Sequence, residues 1–392
     1  MRSRGTITSR SPGSHRIRIS PRDGDPITGK RRFITKTIRG TLTEAKRELT
    51  RLLGEVDRGE HVDPSRMTVG EWLETWLAAT KAEVSAKTHE RYAEIVRCYL
   101  KPALGRRLLQ KLSAADILKA YGDFDRNPSP RTRRHIHRIL KSALARAVGA
   151  LRLSWNPAAA EALRRLPKVE PKPVNTLTVE QSMRLLEAIR HTTSYWPVLI
   201  ALATGMRRGE ILALRWKNLE LDSGTVRVVE SLEQTKAGLR FKSTKSGKAR
   251  AVPLPRFALA QLRDWKRRQA EALLRLGVRQ DPNTLVCPRE DGRPKQPDSL
   301  THEFTYLVGR VDVPRVRFHD LRHSHATQLL AQGVHPKIVQ ERLGHSTITI
   351  TLDLYSHVSD TMQTNAVAQL DGAYGGPGAS PGTFTLVPSH DT

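Results

Sequence analysis

The spacing of apolar positions changes several times along the 392-residue chain, and each change predicts an element. His15–Ser20 alternates polar and apolar residues, Asp25–Gly29 is a turn signal, and Arg31–Ile38 alternates again, which predicts two strands. Thr43–Glu55 then has helical spacing. From Met67 the pattern is helical throughout. Thr68 and Glu71 form a capping box ahead of the stripe Val69, Trp72, Leu73, Trp76 and Leu77. A second helix is expected over Lys87–Leu100, ending at Pro102, and Ser113 with Asp116 starts a third. Ser129–Pro130 places a cap and a first-turn proline before Arg131–Ala147, with Ile136, Ile139, Leu140 and Ala143 facing inward. Leu166–Val174 is a linker stiffened by three prolines. After it, Thr178 and Gln181 cap a helix to Arg190, and Trp196–Thr204 forms another. Strands are expected around Leu219–Glu230 and Arg240–Leu254, then helices over Phe257–Gly277 and from Asp298 to about Ser359.

The expected architecture is multidomain and mainly α. A small α+β module spans 1–62, an all-α domain 67–165 and a linker 166–174. A mixed α/β domain with a small antiparallel sheet and a C-terminal helix spans 175–371. The low-complexity stretch Gly372–Gly382 (GAYGGPGASPG) makes 372–392 a predicted disordered tail.

Charge narrows the choice of partner. Sixty-six Lys and Arg against 39 Asp and Glu leave a net +27, which repels itself unless something anionic binds it. The excess is uneven: residues 1–60 carry 15 basic and 7 acidic residues, whereas 361–392 contain no Lys or Arg. The longest apolar run, Trp196–Ala203, is far short of the ~20 residues that span a bilayer. The first residues lack the apolar stretch of a secretory signal. Cys98 and Cys287 stand alone, without zinc-ligand spacing. A reduced, cytoplasmic, nucleic-acid-binding protein without a membrane partner is expected. Candidate phosphate contacts are Arg16, Arg18, Arg31, Arg32 and Lys36 on the first strands, and Arg131, Arg133, Arg134, Arg138 and Lys141 on the exposed face of the long helix. A solvated, charged surface is the alternative for both sets.

Candidate chemistry gathers in the third domain. In Thr204–Glu210 (TGMRRGE), Gly205 ends one helix and the arginine pair lies at a bend. Phe241–Leu254 (FKSTKSGKARAVPL) is expected to be a hairpin with Ser246–Gly247 at or near its turn, placing Lys245 beside the tip. His319–His325 (HDLRHSH) puts His319 and Arg322 on one helical face. Gly344 caps the helix begun by Pro336, and Tyr355 follows ten residues after His345. His319 and His323 could suggest a metal pair, but Asp320 stands where a zincin has Glu, and Arg322 opposes a bound cation. Breaking a phosphodiester without a metal requires donors for charge building on the non-bridging oxygens. It also needs a nucleophile and a proton for the departing oxygen. Arg, Lys, His-x-x-Arg, His and Tyr make up that set.

The runs TGMRRGE, TKSGKARAVPL, HDLRHSHATQLL and LGHSTITITLDLYSH resemble the tyrosine recombinase family, specifically phage-type, lambda-like integrases. The resemblance covers about Asn175–Val358. The helical unit resembles the family's SAM-like core-binding domain, and residues 1–60 its arm-type DNA-binding domain. The resemblance implies that Arg207, Lys245, His319, Arg322 and His345 are catalytic and that Tyr355 is the nucleophile, with Glu210 and His357 in support. Lys242 and Lys248 lie close enough to leave the lysine assignment open. The implied reaction is integration, and potentially excision, of a phage or other mobile element through a 3′-phosphotyrosine intermediate, with no cofactor and no metal. The implied partners are double-stranded DNA at core-type and arm-type sites, a homo-tetramer, a directionality factor and a host DNA-bending protein. The core-binding and catalytic domains would clamp the crossover site, hinged at Pro167–Pro173. Ser359–Leu370 would dock on a neighbouring protomer or pack on its own domain. The alternatives are a non-catalytic DNA-binding regulator on the same scaffold and a resolvase- or transposase-like member with the same chemistry.

Overall fold

The computed structural model describes residues 4–20, 33–58, 61, 64–124, 127–150, 152–163, 175–244, 249–349, 351–352, 367, 370–371 and 374. Arg31, Arg32, Lys245, Tyr355, His357, the hinge prolines 167–173 and most of Ser359–Leu370 lie outside these residues. Contacts divide the chain into two units, Met1–Pro171 and Lys172–Thr392.

The first unit opens with three antiparallel strands, β1 (Arg4–Ser11), β2 (Ser14–Ser20) and β3 (Ile34–Arg39), in the order β1-β2-β3. Sequence patterning finds only two of them. In β1 the sole large apolar residue is Ile7, so no alternation signals the strand. Helix α1 (Leu42–Asp57) starts at the Thr41/Glu44 capping box and packs Leu52 against Ile17 and Ile19. Ile17 and Ile19 are buried on one face of β2, so Arg16 and Arg18 occupy the other.

The helical part of this unit comprises α2 (Val69–Thr80), α3 (Ala86–Ile95), α4 (Lys101–Leu104), α5 (Ala114–Gly122) and α6 (Pro130–Gly149). Its core joins Trp72, Leu73 and Trp76 to Ile136, Leu140 and Ala143, and the Trp72 indole donates to the Ala143 carbonyl at 2.8 Å. The expected stop at Pro102 is corrected. A π turn over Val96–Leu100 widens the helix, and α4 continues through Pro102 to Leu104. Pro102 then sits in the first turn of the new segment, where its missing N–H costs nothing.

The second unit begins with α7 (Val179–Ala188), α8 (Tyr195–Thr204) and α9 (Arg208–Ala213). Strands β4 (Leu219–Glu220), β5 (Thr225–Val228), β6 (Glu230–Thr235), β7 (Gly238–Ser243) and β8 (Arg250–Pro253) follow, then α10 (Arg256–Arg275), α11 (Pro297–Val308), α12 (Asp320–Ala331) and α13 (Pro336–Leu343). Helix α8 is buried nearly all round, as its unbroken apolar sequence requires.

The expected hairpin over Phe241–Leu254 is also corrected. β7 pairs with β6 across a tight turn at Lys236–Ala237, whereas β8 pairs with β5. β7 and β8 therefore lie against successive stretches of Thr225–Thr235 and do not pair with each other. The tight turn is the one Gly238 permits, at φ +120°. Gly209 brings α9 against β6, since a Cβ there would stand 2.6 Å from the Leu232 carbonyl oxygen.

Candidate active site

Helix α8 ends at Gly205 in the left-handed conformation (φ +65°), and the chain turns into α9 with Arg207 at its N-cap. Glu210, three residues on, accepts the Arg207 backbone N–H at 3.0 Å and its Nη1 at 2.9 Å. Arg207 Nη2 donates to the Gly344 carbonyl at 3.0 Å. Arg322, on the buried side of α12, donates from Nη1 to the Gly205 carbonyl at 2.7 Å and from Nη2 to the Leu343 carbonyl at 2.8 Å. Two guanidiniums thus hold successive carbonyls at the end of α13. His345 comes immediately after them, and its Nδ1 lies 2.9 Å from the Thr351 hydroxyl. The left-handed Gly344 (φ +67°) makes this bend possible.

The cluster is strongly cationic, and its ionisation reflects that. Burial pushes the Arg322 guanidinium down to about 9; the charges of Arg207 and Arg250 act in the same direction and Glu210 opposes them. It remains positive at neutral pH. Burial and then the charges of Arg322 and Arg207 hold His345 down at about 3. Partial desolvation, His323 and Arg322 hold His319, at the N-terminus of α12, at about 4. Both imidazoles are therefore neutral at pH 7 and can donate one N–H without repelling the arginines. Burial alone would push the Glu210 carboxyl up, but hydrogen bonds and charge from Arg250 and Arg207 bring it below its ordinary value. An anion entering here meets two fixed guanidiniums and two imidazoles, the arrangement that stabilises charge on phosphate oxygens.

Arg207, Glu210, Arg322 and His345 are brought together by direct or shared contacts, and His319 joins them electrostatically. Three residues were missed as participants. Arg250 grips Glu210, and Arg342 donates from Nε to His325 Nε2 at 2.9 Å. His325 Nδ1 in turn lies 2.7 Å from the Leu202 carbonyl, so the ring is neutral with its proton on Nδ1. Arginine in RAVPL and in ERLGH gives no periodic signal, and only the fold shows where these side chains point.

Two of the candidate DNA contacts are placed differently from the grouping expected of them. Lys36 lies opposite Ile17 on the helix-packed face of β3 and donates to Glu48 at 2.7 Å, apart from Arg16 and Arg18. Arg133 is half-buried and donates to the carbonyls of Pro128 and Tyr121 and to the Asn127 side chain. It therefore ties down the start of α6 instead of joining the exposed row Arg131, Arg134, Arg138 and Lys141, whose spacing keeps to one helical face.

This unit carries a cationic cluster between α8, α12 and α13 whose fixed guanidiniums and neutral imidazoles suit an anionic group such as a phosphodiester. The phage integrase family matches residues 175–362, and the family's N-terminal SAM-like domain matches residues 68–123. The chain belongs to the phage integrase family of tyrosine recombinases, DNA strand-transferring enzymes. A XerC-like tyrosine recombinase of Caldanaerobacter subterraneus subsp. tengcongensis is 27% identical over 381 residues, covering 92% of this chain and 96% of its own length. The ICEBs1 integrase of Bacillus subtilis is 26% identical over 356 residues, covering 88% and 94%. The fold resembles that of the Tn1549 transposon integrase in complex with a circular intermediate DNA (TM-score 0.66, 21% identity, 78% of this chain and 99% of the other). It also resembles lambda integrase, solved as a tetramer bound to a Holliday junction (TM-score 0.56, 18% identity, 88% and 96%).

Proposed function

We propose that this chain is the site-specific integrase of a mobile element, cleaving and rejoining DNA through Tyr355. The observation that carries this reading is the pair Arg207 and Arg322, fixed on successive carbonyls beside His345. In this reading the two guanidiniums and the N–H groups of His319 and His345 hold the non-bridging oxygens of the scissile phosphate. The Tyr355 oxygen attacks phosphorus, forms a 3′-phosphotyrosine and expels the 5′-oxygen, which takes a proton from Lys245. A 5′-hydroxyl of the partner duplex then attacks the phosphotyrosine, rejoins the strand and releases the tyrosine. The bond broken and the bond made are equivalent, so no ATP enters the balance. Glu210 orients Arg207, and His357 supports the site.

Residues 1–62 form the arm-site module, 67–165 the core-binding domain and 175–371 the catalytic domain, with 166–174 as linker. The working form on DNA is a tetramer. Val367 and Leu370 are 55% and 56% exposed, which favours docking of the C-terminal segment on a neighbouring protomer. A directionality factor and a host DNA-bending protein complete the assembly, which acts in the cytoplasm.

The deciding experiment uses a suicide duplex carrying the core site recovered from DNA flanking the gene. The native protein should leave a covalent protein–DNA adduct after denaturation, and Tyr355→Phe should bind the duplex but leave none. An undiminished adduct with Tyr355→Phe would remove the catalytic assignment.

A further inference from the structure

Arg250 opens β8, five residues after Lys245, and does not belong to the catalytic set assigned above. Its side chain is 12% exposed and that of Glu210 is 1% exposed. The two form a bidentate pair, Nη2 to Oε2 at 2.7 Å and Nη1 to Oε1 at 3.2 Å. The remaining edge is used as well, since Nε donates to the Arg342 carbonyl at 3.1 Å. Its stem lies across Gly344, where a Cβ would stand 3.1 Å from Arg250 Cδ. One guanidinium therefore joins the start of β8, the start of α9 and the end of α13.

Glu210 has a second cation, Arg207, on the same Oε1. A buried carboxylate between two guanidiniums has little freedom, and neither does the arginine it holds. Removing Arg250 would leave Glu210 buried with half of its neutralising charge. The carboxylate would then move toward Arg207 or take up a proton, and in either case Arg207 would lose its fixed orientation. The end of α13 would lose a donor at Arg342, two residues before Gly344, whose carbonyl Arg207 holds. A lysine could not substitute fully, because a single ammonium cannot span both carboxylate oxygens and a carbonyl.

We propose that Arg250 is a positioning residue for catalysis, acting through Glu210 to aim Arg207 at the non-bridging oxygens of the scissile phosphate. This rests on the reading of Arg207 as catalytic. A displacement of about 1 Å in such a donor can cost on the order of a hundredfold in rate.

The test compares full-length wild type, Arg250→Gln, Arg250→Lys and Arg207→Ala on two suicide duplexes, one with an ordinary scissile phosphate and one with a methylphosphonate. The methylphosphonate lacks one non-bridging oxygen charge and so depends less on a well-aimed guanidinium. Arg250→Gln should slow adduct formation at saturating DNA by about tenfold or more on the ordinary duplex. Duplex affinity should be kept, and the deficit should shrink on the methylphosphonate in parallel with that of Arg207→Ala. Arg250→Lys should fall between wild type and Arg250→Gln, and it carries the same comparison if the glutamine variant does not fold. Wild-type cleavage by Arg250→Gln, or an equal deficit on both duplexes, would overturn the proposal. Inert Arg207→Ala beside fully active Arg250→Gln overturns the positioning role alone, whereas fully active Arg207→Ala overturns the catalytic reading beneath it.

Discussion

Arg322 donates to the carbonyl of Gly205 at 2.7 Å, so one arginine of the site is fixed by the residue that ends α8. Three sequence-distant runs meet there: TGMRRGE supplies the carbonyl, HDLRHSH the guanidinium, and ERLGH the second acceptor at Leu343. The neighbouring carbonyls of Leu202 and Ala203 are held by His325 and Arg342. The last turn of α8, which would otherwise leave its carbonyls unpaired, is closed by side chains of α12 and α13.

Gly205→Ala should therefore damage stability and chemistry together. The left-handed conformation costs a non-glycine residue about 1–2 kcal/mol. The added Cβ would also lie 2.4 Å from Leu343 Cδ2 and 2.8 Å from His325 Cδ2. The expected outcome is a lower urea midpoint and a loss of adduct formation exceeding any loss of DNA affinity. An unchanged midpoint would show that the turn does not depend on this glycine.

The choice among three lysines can be resolved by substitution. Lys242 is paired with Glu233 across the β6–β7 hairpin and half-buried, so its ammonium is already engaged there. Lys242→Ala is expected to cleave at close to the native rate. Lys245→Ala should be slow on an ordinary duplex and recover on one with a 5′-bridging sulfur, because a thiolate leaves without protonation. Recovery by Lys248→Ala instead would move the assignment three residues along.

Much of this arrangement is legible from sequence, for a physical reason. Capping boxes at Thr68, Ser113 and Thr178 and the glycine stops at Gly205 and Gly344 are local chemistry, and all five mark element ends in the structure. The failures are tertiary. The partner of β7 depends on which strand passes beside it, and patterning cannot distinguish β6 from β8. Lys36 follows the strand's alternation onto the helix-packed face, where Glu48 of α1 supplies a partner that composition does not predict. The Arg250–Glu210 pair spans forty residues and two elements, and nothing near either residue announces it.

His325 gives the second unit a defined acid sensitivity. Burial, then Arg342 and Arg322, push this imidazole down to about 4, while its bond to the Leu202 carbonyl opposes the shift. Its ordinary value is 6.5. The unfolded chain therefore binds a proton in the interval between these values that the folded chain does not. Stability contributed here is intact above about pH 6.5 and falls as the pH drops toward 4. His345 and His319, lowered to about 3 and 4, add slope of the same sign. Urea midpoints followed through this interval should decline, and His325→Gln, which keeps both a donor and an acceptor, should decline less steeply. Parallel curves for the two proteins would exclude His325 as a source of the slope.

Salt dependence tests the N-terminal sheet. Arg16 and Arg18 share the face of β2 away from α1, and the Arg18 guanidinium lies 3.7 Å above the Phe33 ring, which orders it while leaving its edge available. Each phosphate neutralised on B-DNA contributes about 0.9 to the slope of log affinity against log salt. Replacing both arginines by Gln in the full-length chain should therefore flatten the slope on an arm-site duplex by about 1.8, with core-site cleavage retained. Lys36→Gln should leave that slope unchanged, because its ammonium is already committed to Glu48. Equal slopes for the double variant and the native chain would make the arginine face an ordinary solvated surface.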